Sequence, residues 1–184
     1  DRTKNKKDWV RGRSECDKCQ KQLAFRDLIP VLSWLIGGGK CRYCKTKLPI
    51  TYPVVEIVMG GAFLASYIFV FESASMTFGI YMQMILWLCG LVLMMILLII
   101  DTRTMTLPYK FLFPLLGLSF LYSVFWLIDQ PNAGSSALSL LAAVAVGAGI
   151  FGLLYLFSAG RWIGDGDVLF GIATGLYLGS ATVT

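Results

Sequence analysis

Apolar residues fall along the chain in long runs behind a polar, basic head. Tyr52 to Phe71 is a run of 20 residues with one charge, Glu56. Phe78 to Ile100 is 23 residues with none, and Phe111 to Ile128 is 18, interrupted by Pro114. Ala137 to Phe157 gives 21, and Val168 to Thr184 is a weaker, Gly-rich run. A helix needs about 20 apolar residues to cross a bilayer core, so the pattern predicts four good spans and a fifth that runs toward the end of the sequence. The connections are short: Glu72–Thr77, Asp101–Lys110, Asp129–Ser136 and Ser158–Asp167.

Charge gives those spans a direction. Of the 16 Lys and Arg, 13 lie in residues 1–50, and the other three are Arg103, Lys110 and Arg161. Alternating the spans puts every one of them on one side, and leaves only Glu72 and Asp129 in the loops opposite. The positive-inside rule then makes the head cytoplasmic. Composition agrees: 184 residues, 57% hydrophobic and 15% charged, exclude a disordered chain and argue against an ordinary soluble globule. The net charge of +5 reads as topology and attraction to the lipid bilayer rather than as a nucleic-acid site. No apolar signal segment follows the charged start, and both ends have the look of a cut chain, so a fragment of a longer protein is expected.

The head carries Cys16, Cys19, Cys41 and Cys44, two C-x-x-C pairs separated by 21 residues. Two-residue gaps let paired thiolates reach one tetrahedral ion, and two such pairs close a four-sulfur zinc shell with no open position. A cytoplasmic head keeps thiols reduced, which favours metal over two disulfides or inert thiols. A head of about 50 residues has little core of its own, so metal binding would contribute to its folding. Cys89, in mid-span, reads as a packing residue. The expected fold is an all-α polytopic membrane protein of about five transmembrane helices, with a small zinc-ribbon-like domain over residues 1–50 and a membrane domain over 51–184.

Two carboxylates sit at span ends on the same side. Asp101 closes Leu97-Leu98-Ile99-Ile100-Asp101, and Asp167 closes Gly164-Asp165-Gly166-Asp167 before the last span. Ionisable groups at that depth are candidates for function. Each alone also fits a solvated boundary, and Asp167 fits a helix N-terminal cap. If the two meet, they share one proton, and one can take a proton from water while the other gives one to a carbonyl oxygen. The chain has no His, which removes a Ser-His triad and His-bound metal catalysis and leaves carboxylate chemistry as the natural enzyme reading.

The order of these features resembles the bacterial type IV prepilin peptidases, membrane aspartic proteases with a GxGD motif. The resemblance rests on Cys16-Asp17-Lys18-Cys19, Asp27 to Leu35, Gly39 to Cys44, Tyr52-Pro53-Val54-Val55-Glu56, Ile100-Asp101 with Leu107-Pro108, and Gly164 to Asp167. It covers the chain from about Cys16 to its end. Leu169 stands where the family usually has Lys, and the family's first and last transmembrane segments lack counterparts here. The resemblance implies Asp101 and Asp167 as the catalytic pair, with position 165 free. It implies cleavage of the basic leader from prepilins or pseudopilins at the cytoplasmic face of the inner membrane. It further implies N-methylation of the new N-terminus with S-adenosylmethionine, whose site the residues do not locate. Glu56 reads either as functional or as a buried carboxylate paired to a head Lys or Arg. Two other classes stay open. A transporter or channel relaying ions through Asp101 and Asp167 would sooner place them at the midplane. A non-enzymatic membrane anchor leaves the GDGD turn without a role.

Overall fold

The computed structural model describes residues 14–68 and 77–181. The start of the basic head, the end of the first apolar run with most of the Glu72–Thr77 connection, and the final residues of the last run lie outside them. The described residues form a short 3-10 helix (Phe25–Leu28) and six α-helices: α1 (Leu32–Ile36), α2 (Thr51–Ser66), α3 (Phe78–Thr104), α4 (Tyr109–Ile128), α5 (Ala133–Ser158) and α6 (Asp165–Ala181). They hold no β-strand, only isolated antiparallel bridges between Glu15 and Gln22 and between Lys40 and Lys47. The chain divides into two compact units between Gly61 and Ala62, inside α2.

The first unit is built on two matching turns. In one, the Gln20 N–H donates to the Cys16 carbonyl and the Cys16 N–H to the Lys21 carbonyl; in the other, Lys45 donates to Cys41 and Cys41 to Thr46. Gln20 and Lys45, each just past the second cysteine of its pair, take up left-handed φ of 53° and 57°. The same turn thus recurs 25 positions along the chain. Between them, Asp27 accepts the Ala24 N–H at 3.1 Å and faces the Arg42 guanidinium at 3.7 Å, tying the intervening segment to the second turn. Gly39, in the turn after α1, takes φ of +68° under the Trp34 indole, where a Cβ would lie 2.9 Å from the ring. No other residue fits both constraints without strain.

In the second unit, α3, α4 and α5 are each long and apolar enough to cross a membrane; α2, which the unit boundary divides, is a shorter apolar helix. This chain is therefore an all-α, multi-pass membrane protein with a cysteine-turn domain at its N-terminal side. α4 runs through Pro114 without ending, as membrane helices allow. Its buried residues Leu112, Leu115, Ser119, Tyr122 and Trp126 recur three and four apart and form a single stripe. That stripe meets Leu97 of α3 and Ala173 and Tyr177 of α6 in one core. Polar groups cross-link the same helices. The Tyr177 hydroxyl donates to the Leu86 carbonyl at 3.1 Å, and the Ser123 hydroxyl to the Leu176 carbonyl at 3.0 Å. Away from water such bonds also spare the groups an unsatisfied state.

α6 lies directly on α5 through small residues four apart. A Cβ at Gly171 would stand 2.5 Å from the Gly147 carbonyl oxygen, and one at Gly175 2.8 Å from the Val144 Cα. Lipid offers no hydrophobic drive between apolar helices, so close backbone approach of this kind supplies the packing. On the other face of α5, Leu138, Leu141, Val146, Ile150 and Leu153 are exposed, as residues facing acyl chains would be.

Candidate active site

α3 continues one turn past its apolar run, so Asp101 stands in its last turn, half-buried. The turn closes on Met105 in the left-handed conformation, whose N–H donates to the Asp101 carbonyl at 2.7 Å. The chain then passes Leu107 and Pro108 and re-enters helix at Tyr109. Asp167 lies in the first turn of α6, also half-buried. Its Oδ2 accepts the Gly164 N–H at 3.0 Å, and its own N–H donates to the Gly164 carbonyl at 3.2 Å. A carboxylate three residues into a helix that returns to the N-cap amide is one half of a capping box. The capping role weighed for Asp167 is therefore real, and it occupies one carboxylate oxygen.

The two acidic motifs are joined through their neighbours. Gly166 is buried against the α3–α4 connection, where a Cβ would lie 3.1 Å from the Leu107 Cβ. One residue earlier, the Asp165 Oδ2 accepts a short hydrogen bond from the Tyr109 hydroxyl, and its Oδ1 accepts the Gly166 N–H at 3.0 Å. The start of α6 is thus docked on the segment that follows Asp101. Asp165 was expected to be a free position, but its carboxylate is engaged through both oxygens. Sequence reasoning passed over Tyr109. The available signal was an aromatic hydroxyl at the first residue of α4 and an acid at the first residue of α6, where the helix dipole favours negative charge.

In the head, the structure brings all four predicted cysteines together. The Sγ atoms of Cys16, Cys19, Cys41 and Cys44 lie within 4.8 Å of one another, with Cys16 and Cys44 3.8 Å apart. Four thiolates about 2.3 Å from one tetrahedral ion are spaced roughly 3.8 Å apart, so the cluster can hold a metal ion. N–H donors from Cys19 and Lys18 hold the Cys16 thiol below its ordinary pKa. The hydroxyl and N–H of Thr46 bring Cys44 down to about 6. Cys19 accepts from the Lys21 N–H, yet desolvation and the sulfurs of Cys44 and Cys16 push it up to about 11. Two thiolates are favoured by donors while a third is resisted by its neighbours, an imbalance that a bound cation removes.

Glu56 is not buried, and among the described residues it makes no ion pair with a head cation. It is exposed, and its Oε2 accepts the Val31 N–H at 2.7 Å.

The fold and these two clusters define a multi-pass membrane protein with a four-cysteine head that can hold a metal ion and acidic motifs at its helix ends. Residues 1–70 match the bacterial peptidase A24 N-terminal domain, and residues 87–184 match the type IV leader peptidase family. The chain belongs to the type IV leader peptidase family. A prepilin leader peptidase/N-methyltransferase of Pectobacterium carotovorum is 30% identical over 181 residues, covering 90% of this chain and 56% of that protein. One of Klebsiella pneumoniae is 30% identical over 178 residues, covering 90% and 68%. A type 4 prepilin-like proteins leader peptide-processing enzyme of Escherichia coli is 48% identical over 52 residues, 28% of this chain and 19% of its own. The chain spans about 51 to 68% of the length of the relatives that it matches along most of its own. No solved structure matches it.

Proposed function

We propose that this chain carries the cleavage machinery of a membrane aspartic endopeptidase, which removes the basic leader from type IV prepilins or pseudopilins. The observation that carries the reading is the docking of the GDGD turn on the segment just past Asp101, in a member of this peptidase family. Asp101 and Asp167 are the reacting pair. One ionised carboxylate takes a proton from water as the water oxygen attacks the scissile carbonyl, and the protonated partner gives its proton to the carbonyl oxygen. Collapse of the tetrahedral intermediate breaks the C–N bond, with a proton passing to the leaving amine. Capping by Gly164 fixes the Asp167 side chain and leaves Oδ1 for this work.

The head and both carboxylates face the cytoplasm from the bacterial inner membrane, a reading supported by the segregation of Lys and Arg. A basic leader is held on that same side. The metal in the head is zinc, held by Cys16, Cys19, Cys41 and Cys44 in a closed shell that supports folding and takes no part in the cut. The relatives' names also include an N-methyltransferase. By that analogy the new N-terminus is methylated from S-adenosylmethionine.

The test is cleavage of a leader-bearing prepilin by the purified protein in lipid vesicles, read by product mass. Cut leader from the wild type and none from Asp101→Asn or Asp167→Asn supports the proposal. Unimpaired cleavage by both variants overturns it. A transporter would instead move ions across the vesicle and leave the prepilin whole.

A further inference from the structure

The geometry points to Tyr109 and Asp165 as a positioning pair that holds the first turn of α6, and Asp167 with it, in register on the connection leading from Asp101. This inference rests on Asp101 and Asp167 being the reacting pair.

Two contacts dock that turn, and they run in series: Leu107 on Gly166, and Tyr109 on Asp165. The first is a van der Waals contact, which resists approach but not rotation. The second is directional. The Asp165 carboxylate is pinned from both sides, by the Tyr109 hydroxyl at Oδ2 and by the Gly166 N–H at Oδ1. The Tyr109 ring is in turn stacked on Phe113 one turn along α4, with centroids 5.7 Å apart and planes 22° apart. A hydrogen bond to a charged acceptor is stronger and more directional than a neutral one. Asp165 and Asp167 share one helical turn, so any rotation of α6 that breaks the Tyr109–Asp165 hydrogen bond swings the Asp167 carboxylate by the same angle. A misplacement of about 1 Å can cost roughly 100-fold in rate. Tyr109 and Asp165 are therefore positioning residues, acting on the reaction through Asp167.

The experiment uses the whole chain in lipid vesicles, with a leader-bearing prepilin as substrate and hydrogen exchange of the peptide containing residues 164–168 as a second readout. Tyr109→Phe keeps the ring stack and removes only the hydroxyl; Asp165→Ala removes the acceptor. Each is expected to lower kcat about ten-fold, as loss of one hydrogen bond to a charged group does, with KM within about two-fold. The double variant should be no slower than either single one. Asp165→Asn, whose amide oxygen still accepts from the phenol, should recover most of the loss. Exchange at 164–168 should speed up in Tyr109→Phe and Asp165→Ala and stay slow in Asp165→Asn. Unchanged exchange and kcat in Tyr109→Phe, or additive losses in the double variant, would overturn the pair. If Asp101→Asn and Asp167→Asn both still cleave while exchange follows the pattern above, the docking stands and the catalytic reading falls.

Discussion

The Glu56 carboxylate accepts the Val31 N–H at 2.7 Å, and Val31 is held at φ 58° and ψ −49°. With the Leu32 N–H donating to the Pro30 carbonyl, Val31 is the centre of a positive-φ γ-turn, a strained conformation for a β-branched residue. Strain of this kind persists only where surrounding contacts over-determine it. Here an acid in the second turn of α2 fastens the entrance of α1.

Glu56→Ala should therefore release that turn. Amide exchange at residues 31–33 should speed up, with a stability loss of about 1 kcal/mol for one exposed hydrogen bond. Val31→Gly in the Glu56→Ala background should restore protection by removing the strain. No change in exchange in the single variant would show that the contact holds nothing.

Metal in the head should be stoichiometric and thiolate-bound. Elemental analysis of purified protein is expected to find one zinc per chain, and Cys41→Ser to lose it and loosen residues 14–50. Protons compete for thiolates, so metal should leave as the pH falls and return as it rises. Zinc-free protein with paired cysteines by mass spectrometry would refute the site.

The acidic positions should separate sharply. A carboxamide cannot accept and return the proton, so Asp101→Asn and Asp167→Asn should each abolish prepilin cleavage in folded protein, and the two losses should not add. Asp165→Asn should cost a few-fold at most, because an amide oxygen still receives the Tyr109 hydroxyl. Loss of cleavage in Asp165→Asn with survival in Asp167→Asn would move the reacting carboxylate to position 165.

Packing of α5 on α6 should fail at one glycine and not at another. Gly175 meets backbone of Ala143 and Val144, which cannot move aside, so Gly175→Leu should destabilise the helix pair by about 3 kcal/mol. A Cβ at Gly149 meets nothing within 4 Å, and Gly149→Ala should be neutral or slightly stabilising. Unfolding titrations in mixed micelles distinguish the two; equal effects would contradict the close approach.

Topology has its own check. A phosphatase fused after Gln130 should be active outside the membrane, and one fused after Met105 inactive. The opposite result would reverse the chain in the bilayer and remove the acidic motifs from the cytoplasmic face.

Local pattern determined what local physics controls. An uncharged 23-residue run from Phe78 to Ile100 has one economical state in lipid, a helix that satisfies its own backbone, and α3 is that helix. Two C-x-x-C pairs contain their own turns, because Gln20 and Lys45 need only rotate into the left-handed region to aim the sulfurs at one point. Asp101 and Asp167 were legible as helix-end acids for the same reason: depth along a span is a matter of counting. Tertiary structure alone decided which side chains meet across the chain. Tyr109 and Asp165 are 56 residues apart, and Val31 and Glu56 are 25 apart. The Gly171-Gly175-Gly179 spacing was visible in the sequence, but that α5 would lie on it was not, since any helix with a small-residue face could. The reason is physical. Helix formation and turn geometry are settled within a few residues. Partner choice among helices that are equally apolar is settled by backbone approach and by single hydrogen bonds, and these exist only once the helices have packed.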